Sequence, residues 1–493
     1  QRLLLETAAG RSLSYADMAQ LSRRLAAALL QLGIEPGDRV VAQVDKSPEA
    51  VALYLACLRV GGVFVPLNTA YTAAELEYFL QDCAPKVAVG RAEDPGPLRE
   101  AARQAQMPRV ETLDLAGGGS LMEIANATPE PALPASPTDV NALAALLYTS
   151  GTTGRSKGAM LTRGNLASNA LTLAREWRFT RDDVLLHALP IFHVHGLFVA
   201  INTVLAAGSA MLFLPKFSAM DVIQALPRAS VMMGVPTFYT RLLEEPDLTR
   251  ERTAQVRLFV SGSAPLLADT QREFRARTGH AILERYGMSE TLMNTSNPYR
   301  GDRVPGSVGP ALPGVDLRIA DPKSGSVLRE RGAIGMIEVR GPNVFRGYWR
   351  MPEKTAAELR SNGFFVTGDL GRIDERGYLY IVGRIKDVVI TGGYNVYPSE
   401  VERELNALPG VAESAVIGLP HPDFGEAVTA IVIAERGAML DEATLRSALE
   451  LRLAKYKVPK RVIIAADLPR NAMGKIQKTA LREQHADLYR RVS

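Results

Sequence analysis

An apolar run, Leu143 to Leu147, feeds directly into Tyr148-Thr-Ser-Gly-Thr-Thr-Gly-Arg-Ser-Lys-Gly158. A strand that opens into a glycine- and hydroxyl-rich loop ending on one lysine constrains this chain more than any other feature, because it reads as a polyphosphate cradle. Glycines let backbone N–H groups approach phosphate oxygens, Ser150, Thr152 and Thr153 add hydroxyl donors, and Lys157 supplies a point charge. The spacing excludes the common NTPase loop, which places Gly-Lys-Ser/Thr after its first glycine and four intervening residues; here Lys157 follows Ser156 and precedes Gly158. An ordinary Gly/Ser loop of the same composition is the competing reading of this string alone.

The cradle sits among alternating helical and strand patterns. Tyr15 to Leu32 has helical apolar spacing, Asp38 to Gln43 reads as a strand, and Ser47 to Arg59 is helical, capped by Ser47 with Pro48 beside it. Val63 to Leu67 and Val87 to Val89 are further short apolar runs. Such alternation predicts an α/β fold of parallel sheets covered by helices. Ala132 to Thr138, with its prolines, reads as an exposed linker before the cradle strand. Beyond residue 310 the texture shifts to short strands and turns, including Gly335 to Arg340 and Gly377 to Val382, which suggests a β-rich subdomain. After Gly383 a smaller α+β unit is expected, with helical patterns at 399–408, 443–455 and 477–490 and strands at Ala415 to Gly418 and Val428 to Ala434.

At 493 residues the chain should form at least two domains. A net charge of +4 with no long run of like charge gives no case for a nucleic-acid partner. Cys57 and Cys83 lack ligand spacing, so neither zinc nor a disulfide framework is expected, and a reducing, cytoplasmic compartment fits. Gly196 to Pro215 is uncharged over about a membrane-spanning length. Asn202, Thr203, Gly208, Ser209 and Pro215 interrupt it, so it reads as a buried helix turning at Ala207-Gly208-Ser209 into a buried strand, with no membrane span. The sequence starts at Gln1 without a basic-then-apolar leader, and no targeting signal is expected from it.

Five further strings follow the cradle. Ser261-Gly-Ser-Ala-Pro265 leaves the strand Val256 to Val260. Glu284-Arg-Tyr-Gly-Met-Ser-Glu-Thr291 and Thr367-Gly-Asp369 come next. Gly383-Arg-Ile-Lys-Asp387 precedes Gly392-Gly-Tyr-Asn-Val-Tyr-Pro398, and Pro469-Arg-Asn-Ala-Met-Gly-Lys475 lies near the end. Taken alone, each has a plain reading as a strand-exit turn, a surface carboxylate or a solvated lysine. In this order, and over almost the whole chain, they resemble the adenylate-forming superfamily of acyl-CoA synthetases, luciferases and peptide-synthetase adenylation domains.

The resemblance implies a large N-terminal domain over residues 1–383, a hinge at 384–388 about Lys386, and a mobile C-terminal domain at 389–493. It implies ATP, Mg²⁺ and CoA as co-substrates or cofactor. Thr149, Ser150, Gly151, Thr152, Thr153, Gly154 and Lys157 would hold the phosphates. Ser263, Ala264 and Pro265 would lie along the adenine, with Tyr286 stacked on it and Glu284, Gly287 and Met288 beside them. Ser289, where the family more often has threonine, would bond the α-phosphate; Glu290, with Thr152, would hold the metal. Asp369 would accept the ribose diol and Arg384 would contact ribose or phosphate. Gly392, Gly393 and Tyr394 would line the CoA path, and Lys475 would stabilise charge during adenylation. A regulatory acetyltransferase and deacetylase acting on Lys475 are implied as partners.

Pro190-Ile-Phe-His-Val-His-Gly196 resembles the family's acyl-pocket segment, and His193 is assigned to positioning the carboxylate, a role that competes with core or pocket-wall packing for both His193 and His195. Arg285 stands where fatty and aromatic acid ligases usually have glycine, and Arg241 lies on a segment that flanks the pocket. An unpaired buried guanidinium needs an anion. A second substrate carboxylate would supply it, and the chain resembles the malonyl-CoA synthetases; protein salt bridges to Glu284 or Glu244 are the alternative. The expected activity is ligation of malonate, with methylmalonate a further substrate, to CoA through an acyl adenylate. A ligase for another short or aromatic acid, a carrier-loading adenylation module and a nucleotide sensor are the competing classes. The loading module would need a downstream carrier, and the sensor would not need Glu290 and Lys475.

Overall fold

A computed structural model of the protein describes residues 2–107, 109–129, 139–149, 156–471 and 474–489. The expected linker at 132–138 and most of the cradle, Ser150 to Arg155, lie outside these residues. The chain divides into two compact units, Gln1–Asp316 with Val339–Phe365, and Leu317–Glu338 with Val366–Ser493.

In the first unit the expected α/β alternation is present. The helix Tyr15–Gln31 starts at a reciprocal capping box, in which Ser14 accepts from the Asp17 backbone and Asp17 accepts from that of Ser14. Ser47 caps Pro48–Arg59, with proline at the first helical position, where no N–H is needed. Between them, Arg39–Gln43 pairs in parallel with Val63–Pro66 on one side and Val87–Arg91 on the other. Val40, Val41, Val63, Val65, Val87 and Val89 are all buried, as they must be in strands covered on both faces. Leu143–Thr149 joins this six-stranded sheet beside Val63–Pro66 and turns back antiparallel into Lys157–Thr162.

An eight-stranded sheet in the same unit carries Val184–His187, Val231–Gly234, Leu258–Ser261 and Leu283–Met288 in parallel, closed by the antiparallel strand Leu292–Ser296. The uncharged stretch behaves as its sequence predicts. A π-helical segment His195–Ile201 runs into the helix Asn202–Ala207, Gly208 ends it at φ 69°, and Ala210–Phe213 enters the sheet. Among the described residues no helix is long and apolar enough to cross a membrane.

The second unit holds most of a four-stranded sheet, Asp316–Ala320, Gly335–Arg340, Phe365–Ile373 and Leu379–Arg384. It also holds a five-stranded sheet centred on Val411–His421 and Gly425–Ala434. Two C-terminal helices are shorter than their patterns suggest, ending at Glu450 and Gln484. Past Gln484, Leu488 and Tyr489 leave the helical path to pack on the core of this unit, where the Tyr489 hydroxyl bonds Thr429 at 2.9 Å. Tertiary burial overrides local propensity there. Cys57 and Cys83 are free thiols, both buried.

Candidate active site

The cradle's two flanks form a hairpin, with Thr149 opposite Lys157. A segment distant in sequence stitches onto it: Met160 donates to Gly347 O, Arg346 to Met160 O and Trp349 to Gly158 O, all at 2.8–2.9 Å. This brings Tyr348 beneath Lys157, whose Nζ lies 4.4 Å from the ring centroid. Lys157 also meets Glu358 Oε1 at 3.7 Å, and Lys354 meets the same oxygen at 2.7 Å. On the other side, the Phe345 N–H donates to Glu290 O at 2.8 Å. The Tyr348 hydroxyl lies 3.0 Å from Glu290 Oε1 and 2.7 Å from Glu358 Oε2.

Glu290 is buried, and burial pushes its carboxyl upward against the pull of its own N–H, the Tyr348 hydroxyl and the Lys157 charge. A hard, buried carboxylate is the kind of donor that fits Mg²⁺, which takes one or two carboxylates and completes its shell with phosphate oxygens and water. The described residues contain no cluster of three metal-binding side chains. Thr152, the second expected metal ligand, lies outside them, with Ser150, Gly151, Thr153 and Gly154.

Tyr286 to Met288 lie on the strand Leu283–Met288, Ser289 opens the turn after it, and all four are half-buried. Gly287 is compulsory there: a Cβ would stand 1.9 Å from Leu292 O across the hairpin. Glu284 and Arg285 point to opposite faces of the strand, so adjacency in sequence does not pair them. Glu284 faces the turn after Ser261, accepting from Leu266 N at 3.2 Å, and burial moves its carboxyl up to about 8. Its geometry is that of a brace for the Ser263-Ala264-Pro265 turn, in which Ser263 adopts φ 73°.

Arg285 occupies the other face and is 2% exposed. Among the described residues its Nε and Nη2 have no hydrogen-bond partner and it makes no ion pair. Burial lowers the guanidinium to about 9. Space for it comes from Gly262, where a Cβ would fall 2.4 Å from Arg285 Cζ. Beside it lies His195, fully buried, with Nδ1 3.4 Å from the Ser263 hydroxyl and Nε2 without a partner. Burial, followed by the Arg285 charge, holds His195 well below the usual imidazole range, so it is neutral.

His193 is only half-buried and accepts weakly from His195 N at 3.4 Å. Of the two histidines, His195 is the fully enclosed one and feels the Arg285 charge; the two-histidine string was the signal for it, and which of the pair is enclosed needed the fold. Arg241 is exposed. Its helix, Pro236–Leu243, buries Tyr239 and Leu242, which turns position 241 toward solvent. The two arginines thus occupy different environments. Glu244, the alternative partner, makes no ion pair with Arg285.

A support sequence reasoning did not find underlies the histidine segment. Lys46 Nζ lies 2.7 Å from His187 Nδ1 and 2.8 Å from His187 O, and His187 Nε2 bonds Gly196 O at 2.8 Å. A carbonyl only accepts, so Nε2 carries the proton and Nδ1 accepts from the lysine.

Within the second unit, Asp369 and Arg384 form an ion pair at 3.1 Å, and the Thr367 hydroxyl accepts from Asp369 N. Lys475 lies in their field. Burial, with repulsion from Arg384, lowers its ammonium to about 8, while Asp369 pulls the other way. Its loop is closed by Asn471, which bonds Lys475 through both backbone and side chain at 2.9 and 3.0 Å, and by the Arg470–Glu413 pair. Lys386 sits in the single turn Ile385–Asp387, whose Asp387 pairs with Arg482 at 2.7 Å. Gly392 and Gly393, at φ 56° and 83°, make the two-residue turn between Val389–Thr391 and Tyr394–Val396. Tyr394 is exposed and stacks on Tyr456 at 4.7 Å.

Residues 2–349 match the AMP-binding enzyme family and residues 400–475 match the AMP-binding enzyme C-terminal domain. Malonate–CoA ligase ACSF3, mitochondrial, of Mus musculus is 38% identical over 461 residues, covering 86% of this chain and 78% of the relative. Feruloyl-CoA synthase of Amycolatopsis sp. is 36% identical over 486 residues, 96% of this chain and 94% of the relative. The crystal structure of ATP-bound MatB from Rhodopseudomonas palustris superposes with a TM-score of 0.97 at 59% identity, covering 99% of this chain and 97% of that one. Sequence strings, sheet order and these likenesses converge on one conclusion: the chain belongs to the AMP-binding enzyme family.

Proposed function

We propose that the protein is an ATP-dependent malonate:CoA ligase, forming malonyl-CoA, AMP and pyrophosphate through a malonyl adenylate. The observation that carries the acid is Arg285, a buried guanidinium with open donors set against Gly262 and the neutral His195. A distal carboxylate satisfies such a group with a charge-assisted, bidentate bond, whereas an uncharged acyl chain leaves it unpaired. Malonate–CoA ligase relatives support the reading, and feruloyl-CoA synthase marks the runner-up, a ligase for an aromatic acid.

A carboxylate is a poor electrophile with a poor leaving group, so thioester formation needs activation. One malonate oxygen attacks the α-phosphorus of ATP in line, and the bond to pyrophosphate breaks. Mg²⁺, held by Glu290, would offset pyrophosphate charge. Lys157 and the cradle position the phosphates, Ser289 donates to the α-phosphate, Tyr286 stacks on the adenine, and Asp369 with Arg384 holds the ribose. Lys475 stabilises charge while two anions combine. Its small domain then turns about Lys386, and the Gly392–Gly393 turn admits CoA, whose sulfur attacks the acyl carbon as AMP leaves and the thiol proton is released. A cytoplasmic site of action is supported by the two free thiols. Acetylation of Lys475 by a dedicated acetyltransferase, reversed by a deacetylase, would remove the charge and stop adenylation.

The test is the ratio of kcat/KM for malonate to that for butyrate, followed by pyrophosphate release with ATP and CoA. A buried charge-assisted bond of ~1.5–3 kcal/mol makes Arg285→Gly lower the malonate value by about tenfold to a hundredfold. The variant should also raise activity toward butyrate. A wild-type preference for butyrate, or an unchanged ratio, defeats the dicarboxylate assignment.

A further inference from the structure

We propose that Tyr348 is a positioning residue of the nucleotide site, its hydroxyl orienting the Glu290 carboxylate toward a divalent cation and its ring forming the floor under Lys157. The inference rests on the reading of Glu290 and Lys157 as the cation-binding and phosphate-binding groups. Neither the nucleotide motif around Glu290 nor the cradle contains Tyr348; it reaches both from a segment 58 residues beyond Glu290.

A phenol has one proton to donate, and Tyr348 faces two carboxylates, at 3.0 Å and 2.7 Å. Glu358 already has two ammonium partners, Lys354 at 2.7 Å and Lys157 at 3.7 Å. Glu290 is buried, and among the described residues no lysine or arginine reaches it within ion-pair distance. The proton is shared between the 2.7 Å contact to Glu358 and the 3.0 Å contact to Glu290, and its share on Glu290 matters more, because a desolvated carboxylate without an ammonium partner gains most from a hydrogen bond. That donation fixes the rotation of the carboxylate and leaves its remaining lone pairs for a cation.

The ring does separate work. Lys157 Nζ, 4.4 Å from its centroid, is held over the ring face without any of its three N–H donors being consumed by it. Tyr348 itself is 2% exposed and cannot swing away, because it pairs with Ala159 in a β-bridge and its N–H is bound to the Thr355 hydroxyl at 2.9 Å. The backbone on either side is tied to the Lys157 hairpin and to Glu290 O. One rigid residue thus sets the relative placement of the cation-binding and phosphate-binding groups.

The two roles separate in a binding experiment without acid or CoA, so that no turnover contributes. ATP is titrated calorimetrically with Mg²⁺ and, separately, with EDTA. Tyr348→Phe keeps the ring and loses the donor. It should reduce the Mg²⁺-dependent gain in ATP affinity by at least about fivefold and leave the EDTA value within about twofold. Tyr348→Leu loses both, and should also weaken binding in EDTA by at least about fivefold. Glu358→Gln, which spares the phenol, should keep the Mg²⁺ gain within about twofold of wild type. An unchanged gain in Tyr348→Phe overturns the proposal. So does an equal loss on both readouts in the Phe and Leu variants, or a loss in Glu358→Gln matching that of Phe. Failure of the wild type to bind ATP at all would instead sink the underlying reading.

Discussion

Arg285 shows at the residue scale how function and stability oppose each other. An enclosed cation without a counter-ion destabilises the empty protein, so Arg285→Met should raise its urea midpoint, by on the order of 1–4 kcal/mol once extrapolated, while abolishing the preference for malonate. Malonate should protect the wild type against urea and have no effect on the variant. Lys475 sets a pH limit. Its ammonium is lowered to about 8, so the cationic form is lost as pH rises through that value, and kcat/KM for ATP should fall above about pH 8. The sign for stability is the reverse: burying this charge costs most below about 8, and the cost fades as pH approaches the ordinary lysine range. Lys475→Arg should carry the activity limb to higher pH, and a limb that does not move places the titration elsewhere. Lys475→Ala should suppress adenylate formation by orders of magnitude yet still convert supplied malonyl adenylate to thioester. Equal loss of both half-reactions contradicts the two-step scheme.

At the scale of elements, the histidine segment depends on a close backbone approach. A Cβ at Gly196 would stand 2.0 Å from Pro190 O, and neither backbone can yield without shifting the π-helical segment that begins at His195. Gly196→Ala should therefore cost at least about 2 kcal/mol in a denaturant titration and lower kcat/KM for malonate beyond what stability explains. Gly208→Ala is the control. It too is disfavoured, at φ 69°, but nothing lies within 4 Å of its Cβ, so about 1 kcal/mol and unchanged substrate preference are expected. Similar kinetic damage from both would show that the segment is not held by the Pro190 contact. The cap at Ser47 with Pro48 beside it was legible in the sequence, because short-range chemistry alone places it. The ends of the helices at Glu450 and Gln484 were not, since packing of Leu488 and Tyr489 decides the latter.

At the scale of the whole molecule, the scheme requires a change of domain arrangement about Lys386 between the two half-reactions. Lys386→Pro fixes φ near −65° and should trap one arrangement, so that one half-reaction survives at least tenfold better than the other, to order of magnitude. Full overall turnover in this variant would remove the hinge from Lys386. The α/β architecture and the order of the nucleotide strings follow from the sequence alone, because periodicity, glycine spacing and capping act over a few residues. The uncharged stretch at 196–215 was read correctly as helix, turn and buried strand for the same reason. Which side chains share a space is set by packing between elements far apart in the chain. That packing enclosed Arg285 and turned Arg241 to solvent, enclosed His195 fully and His193 only in part, and carried Tyr348 and Glu358 to Lys157 and Glu290. The physical reason is that burial and pairing arise from long-range contacts between elements, and no local pattern along the chain encodes which of two nearby residues a sheet or helix will turn inward.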